Sequence, residues 1–192
     1  LAELIANAYD ADAKNVYIIS NKDDIRVEDD GHGMSYRNGD IGRYLNVAGV
    51  SRTTENESKT KSGKRRKMGR KGVGKLAALS VSSEVDIMTI TDEGERSGFV
   101  LSRRPANGKD LQEIAVDKIV FEKVKKHGTA IVMRNPQYRL HKTLDPIKRN
   151  LLKIFPLVNK NFRIHIIRDS EAVTIDDFNR NMMSELVTLI TF

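Results

Sequence analysis

Three short segments in a fixed order constrain this chain more than its composition does. They are Glu3-Leu4-Ile5-Ala6-Asn7-Ala8-Tyr9-Asp10-Ala11, then Asp29-Asp30-Gly31-His32-Gly33-Met34, then Gly69-Arg70-Lys71-Gly72-Val73-Gly74. Around the first, Leu1, Leu4, Ile5 and Ala8 recur at helical spacing among good helix formers, which predicts a helix over 1–11. The second closes a run, Ile25 to Asp29, whose alternation of apolar and polar residues is the period of a half-buried strand. The third stands in front of a Leu- and Ala-rich stretch, Gly74 to Ser82, that reads as a helix.

On the first helix Glu3, Asn7 and Asp10 are spaced i, i+4 and i+7 and share a stripe separate from Leu4, Ile5 and Ala8. A carboxylate on such a stripe suits a general base acting on a water beside a terminal phosphate, and an amide oxygen is a hard ligand for Mg2+. Glu3 is assigned the first role and Asn7 the second, and Asp10 is expected beside Asn7 on the ligand-facing stripe as a further nucleotide-binding residue. A solvated polar face is the commoner meaning of such a stripe, and the two glycine segments downstream are what raise the functional reading.

In the strand, Asp29 falls on the face of Ile25 and Val27, and Asp30 on that of Arg26 and Glu28. A carboxylate turned toward a core needs a donor to offset its desolvation. The exocyclic amine of adenine is such a donor, whereas guanine carries a carbonyl at that position, so ATP is favoured over GTP. Gly31 and Gly33 permit a tight turn and close approach to a base, and Met34 offers a polarizable surface to its ring. An Asp-Gly pair is also a common turn, but an EF-hand is excluded because its further oxygen ligands and closing Glu are missing.

The string Gly69 to Lys75 fits the opening of a Walker A loop, yet its eighth position is Leu76 and a basic loop precedes it. Neither the Ser or Thr for Mg2+ nor the buried strand of a P-loop is there. Backbone amides of Gly72, Val73 and Gly74 before a helix nevertheless form a phosphate cradle, with Lys71 and Lys75 adding charge.

Farther along, 13–22, 84–91, 98–103, 112–116, 129–134 and 162–168 read as strands, and 36–50 and 145–155 as helices. Helices grouped around such a run of strands suggest an α+β, two-layer sandwich, a mixed and mostly antiparallel sheet covered by helices on one face. The ATP-binding domain is expected to span 1–168, and 169–192 to be a C-terminal extension or the start of a following domain. Composition changes at Ser51. From there to Met68 the chain is polar and charged with almost nothing to bury, which predicts a mobile loop.

The chain's net charge of +7 sits in one place, because Lys59 to Lys75 holds nine Lys or Arg and no acid. The third segment is thus embedded in a run suited to phosphates, and a nucleic-acid-binding module working through it is a rival reading. Without cysteine there are no disulfides, thiolate metal sites or cysteine nucleophile, and a cytoplasmic, intracellular setting is expected. The four histidines lack metal-ligand spacing. No apolar run is long enough for a membrane helix, and no membrane partner is expected.

In order and type, the three segments resemble the N box and the two glycine boxes of the GHKL superfamily, shared by the ninety-kilodalton heat-shock chaperones, MutL proteins, topoisomerase ATPase subunits and MORC proteins. His127-Gly128-Thr129 resembles the family's later Gly-Thr element. The resemblance implies a Bergerat fold that binds ATP or ADP with Mg2+, a lid over about 51–74, and a place for Thr129 near Asp29 and the adenine. The glutamate in the first box is closer to the chaperone, MutL and MORC branch than to histidine kinases, whose phosphotransfer domain is the alternative. ATP-dependent homodimerisation of a longer protein and a DNA or protein client are further expectations. The start at Leu1, within a helix and without Met, suits a piece of such a protein.

Overall fold

The computed structural model describes residues 1–45, 58–68, 74–104, 111–138, 140 and 143–183. It holds helices α1 (Ala2–Asp10), α2 (Asp40–Leu45), α3 (Gly74–Val81) and α4 (Leu144–Ile154). Strands are β1 (Asn15–Ser20), β2 (Asp24–Asp29), β3 (Glu84–Ile90), β4 (Arg96–Ser102), β5 (Gln112–Glu113), β6 (Gly128–Arg134), β7 (Arg163–Arg168) and β8 (Glu171–Ile175). The strands form one sheet in the order β5-β4-β3-β6-β2-β1-β7-β8, antiparallel at every pair except β1 with β7. This is the expected α+β sandwich.

The main core lies between the helices and one sheet face. Val16 and Ile18 of β1, Ile25 and Val27 of β2, Val85 and Ile87 of β3, and Ile131 and Met133 of β6 meet Leu4, Ile5 and Ala8 of α1 and Leu151 and Leu152 of α4. These strand positions are two apart and these helix positions three or four apart, so each element turns its apolar set one way. A smaller cluster on the opposite face joins Met88, Ile90, Ala130 and Val132 to Ile119.

That second cluster changes the reading of β2. Half-burial is expected there, but Ile25 to Asp29 is buried on both faces, Glu28 completely. The segment after the 3-10 turn Val116–Lys118 folds back over the far face, and Glu28 accepts the backbone N–H groups of Glu122 (2.7 Å), Lys123 (2.8 Å) and Val124 (3.2 Å). Arg26 donates Nε to the same carboxylate at 2.6 Å and Nη2 to the Val120 carbonyl. A long-range loop is invisible to alternation within one strand.

Other boundaries shift as well. Of the helix expected over 36–50, Asp40–Leu45 is helical, Tyr36 to Gly39 form a turn, and 46–50 lie outside the described residues. The strand expected over 112–116 shrinks to two residues before the 3-10 turn. Past residue 168 the sheet continues, because Asp169, at φ 52°, turns the chain into β8, which pairs with β7. Residues 178–183 are helical, and 184–192 lie outside the described residues.

Candidate nucleotide site

The register of the central strands assembles the site. Asp29 of β2 stands opposite Thr129 of β6, and Thr129 opposite Thr89 of β3. All three share the face that carries α1 and α3, with Val16 of β1 completing the row. Three polar side chains from positions 29, 89 and 129 therefore lie side by side and buried beneath the helical layer. Thr89 was missed in the sequence; its signal is a polar residue in phase with Val85 and Ile87.

Asp29 is 8% exposed, and its Oδ1 accepts the Gly31 N–H at 2.9 Å. The strand thus supplies one donor from just past its own end, where the sequence pattern supplied none. Burial still dominates: it pushes the Asp29 carboxyl up from 3.8 to about 7, against the lowering pull of the Gly31 and Thr129 backbone bonds and with a push from the Asp30 charge. A carboxyl has more acceptor capacity than these backbone N–H groups fill, so a further donor would offset part of the cost of its burial.

Glycines close the floor. Gly33 sits at φ +70°, and a Cβ there would lie 2.2 Å from the Ile90 carbonyl oxygen. Gly128, at φ +141°, lies so close to β2 that a Cβ would be 1.8 Å from the Asp29 carbonyl oxygen. Both belong to the left-handed or otherwise glycine-favoured backbone, and both let strands approach where a side chain would part them. Gly31 abuts Ala11, so its smallness serves the junction of α1 with the strand end. Beyond Gly33, Met34 donates its N–H to Thr89 Oγ1 at 2.7 Å, Thr89 donates to the Gly128 carbonyl at 3.2 Å, and the Met34 side chain packs on the core. His127 Nδ1 donates to the Gly31 carbonyl at 2.7 Å, joining the later Gly-Thr element to the first glycine turn.

On α1, Leu4, Ile5 and Ala8 are buried, Glu3 is exposed, and Asn7 and Asp10 are half-buried. The helix packs on α3 and β2. Asp10 has a structural partner: Oδ1 accepts the Met68 N–H at 2.6 Å.

That bond belongs to a larger attachment. Of the stretch 51–68 expected to be mobile, 51–57 lie outside the described residues, and 58–68 is tied down mainly by polar anchors, with Met68 packed on the core. Asp12 accepts the Ser62 N–H and Oγ–H, each at 2.8 Å. Arg65 donates to the carbonyls of Tyr9 (3.3 Å), Ala13 (2.8 Å) and Asn161 (2.7 Å) and lies 4.7 Å above the Tyr9 ring centroid. Burial alone would raise the Asp12 carboxyl, but hydrogen bonds from Thr60 and Ser62 and the Arg65 charge hold it below its ordinary value.

Lys71, Gly72 and Val73 lie outside the described residues. Gly74 is the first residue of α3 and Lys75 the second. An α-helix leaves its first-turn N–H groups unpaired, so a helix start at Gly74 accords with the expected cradle. Among the described residues, no three His, Asp or Glu side chains cluster to hold a metal. A site for Mg2+ built on one amide and a ligand's own phosphates is compatible with that. No helix among them is long and apolar enough to cross a membrane.

A two-layer sandwich with a buried aspartate and a glycine turn beside the first helix defines a nucleotide-binding domain of the GHKL type. Residues 1–129 match the family described as histidine kinase-, DNA gyrase B- and HSP90-like ATPase, and the chain belongs to it. It is also 27% identical over 179 residues to the "Putative type II restriction enzyme HgiDII" of Herpetosiphon aurantiacus. That match covers 91% of this chain and 28% of the relative, so the chain spans well under half the length of that protein.

Proposed function

We propose that this domain binds ATP with Mg2+ and hydrolyses it, and that the nucleotide drives a conformational switch within a longer protein. The observation that carries the reading is the buried row of Asp29, Thr129 and Thr89 under α1. In it Asp29 accepts the exocyclic amine of adenine, Thr129 supports the same edge, and Met34, next to the Gly31 and Gly33 turn, packs against the ring. The side-chain oxygen of Asn7 holds Mg2+ together with phosphate oxygens and water. Glu3, one helical turn away on an exposed stripe, takes a proton from the attacking water. Amides of Gly72, Val73 and Gly74 and the charges of Lys71 and Lys75 hold the phosphates. Asp10 acts through the Met68 backbone, so it positions the lid against the helix that carries Asn7 and Glu3.

Exchange of ATP for ADP then alters the lid over about 51–74, and ATP-dependent pairing of two copies is the form the switch takes in the longer protein. The restriction-enzyme name of the relative favours DNA over a protein client. Calorimetric titration of the chain with ATP and GTP in Mg2+, beside Asp29→Asn, tests the site. Selective ATP binding lost in the variant is the expected result; equal binding of GTP, or unchanged ATP binding by Asp29→Asn, overturns the assignment. Glu3→Ala is expected to keep ATP binding while single-turnover hydrolysis by the longer protein falls at least about 100-fold.

A further inference from the structure

Behind the nucleotide row, on the sheet face without helices, a cavity of about 690 Å3 opens between the end of α1, the loop after β2 and the segment before β6. Five lysines line it: Lys14, Lys61, Lys123, Lys125 and Lys126. All five are exposed. Among the described residues Lys14, Lys123, Lys125 and Lys126 make no ion pair, and Lys61 has a long contact of 3.9 Å with Asp92. Two of the three carboxylates in the walls are turned inward onto backbone donors. Asp30 accepts from Lys14 N, Asn15 N and Asn15 Nδ2 at 2.6–2.7 Å, and Asp12 accepts from Ser62. Asp92, beside His127 at 3.2 Å, is the acid left facing the lysines.

The lysine platform is rigid by construction. Glu28, fully buried, holds three successive backbone N–H groups at 122, 123 and 124, and Arg26 binds both Glu28 and the Val120 carbonyl. Burying a charged pair is costly unless its hydrogen bonds are complete, and here completeness is reached by fixing this loop. The bonds place Lys123, Lys125 and Lys126 at the mouth of the cavity, next to Lys14 from the α1–β1 turn. Tyr17, stacked on His165 at 4.5 Å between centroids, forms part of the floor.

We propose that this cleft binds the phosphodiester backbone of a nucleic acid. Several exposed ammonium groups spread over three segments, with no buried cation among them, match a ligand that repeats its charge along a strand. A single phosphate group is better served by converging, desolvated donors. An aromatic in a basic groove is also the pattern that tracks a single strand. The basic run read from the sequence contributes here through Lys61, while Arg65 of that run is spent on the chain's own carbonyls. Tyr17 and the segment held by Glu28 lie on the opposite face of the sheet from Asp29, while the Gly31–His32 turn borders both the cleft and the nucleotide row; the proposal does not depend on nucleotide binding.

The test is fluorescence anisotropy of the chain with labelled single-stranded DNA, duplex DNA and RNA of mixed sequence across a salt series, with vesicles of anionic phosphatidylserine as a separate arm. If about four lysines engage phosphates, affinity falls on the order of 100-fold between about 50 and 200 mM salt. The triple variant Lys123→Ala, Lys125→Ala, Lys126→Ala is expected to lose at least about 30-fold at low salt and to flatten the salt slope by two or three. Asp92→Asn, which removes the opposing charge, is expected to tighten binding about two- to five-fold. Which nucleic acid binds best identifies the strand type within the proposal. Binding with a slope and affinity unchanged in the triple variant overturns it, as does lysine-dependent binding to vesicles with none to nucleic acid. ATP titration of the same variant separates the two sites: retained ATP binding with lost nucleic-acid binding supports the cleft, whereas loss of both, with an altered melting curve, is answered by the Asp92→Asn result.

Discussion

Replacing Asp29 by Asn should make the folded protein more stable above neutral pH while removing its nucleotide selectivity. Burial lifts the Asp29 carboxyl from 3.8 to about 7, so the folded state resists ionising a group that the unfolded chain ionises freely. The sign follows from proton binding. Below the unfolded value both states hold the proton, and Asp29 costs nothing. Between 3.8 and about 7 the folded state holds more protons than the unfolded one, and stability declines by about 1.4 kcal/mol per pH unit. Above about 7 the full cost, about 4 kcal/mol, is present and constant. An asparagine keeps the oxygen that accepts the Gly31 N–H and never ionises, so Asp29→Asn gains about 2–4 kcal/mol at alkaline pH, or on the order of 10 °C in Tm. Urea unfolding of both proteins at several pH values between about 4 and 8, followed by circular dichroism, reads the difference directly, because other titrating groups cancel. A gap that widens with pH and levels off near 7 is the expected result. A constant gap, or a variant less stable at every pH, would refute the claim that burial governs this carboxyl.

Three further outcomes follow from contacts of the scaffold. Arg65→Ala removes three hydrogen bonds to carbonyls and the contact with Tyr9, so a loss of about 1.5–3 kcal/mol and faster proteolysis within 58–68 are expected, measured by urea unfolding and limited trypsinolysis. Gly128→Ala drives a Cβ into the Asp29 carbonyl and should destabilise by more than about 3 kcal/mol, whereas Gly63→Ala, with positive φ but open space, should cost about 1 kcal/mol. Thermal melts of the two variants compare strain with steric overlap. Glu28→Ala takes from the buried Arg26 its closest carboxylate, leaving it Glu122 at 3.4 Å and the Val120 carbonyl, and leaves three N–H groups without their acceptor, for which about 3–5 kcal/mol is expected; equal stability by urea unfolding would mean that the segment over the far face contributes nothing.

The repeating local pattern was legible in advance. Ile25, Val27 and Asp29 share a face whatever surrounds them, and Leu4, Ile5 and Ala8 share a helical stripe, because chain geometry alone sets periods of 2 and 3.6. Hence the α+β class, the inward turn of Asp29 and the helix starting at Gly74 could be read from residue order. What escaped were partnerships across long sequence distances. Thr89 has no local mark that ties it to Met34 or Thr129, and the closure of the far face by 119–124 depends on a carboxylate, Glu28, almost a hundred residues earlier.

The same limit explains the basic segment and the end of the sheet. Low apolar content leaves 58–68 little hydrophobic anchorage beyond Met68, which packs on the core, but it says nothing about Asp10, Asp12 and backbone carbonyls supplied by another element. Residues Glu171 to Ile175 are too short a run to announce a strand, and they become one because β7 presents an edge to pair with. By itself the sequence determined the periodic elements, the glycine turns and the chemical types gathered for a nucleotide. Tertiary structure alone decided which strands are neighbours, which charges are consumed internally and which lysines face a common cleft, since registers and loop closures depend on contacts whose free energy exists only once distant segments have met.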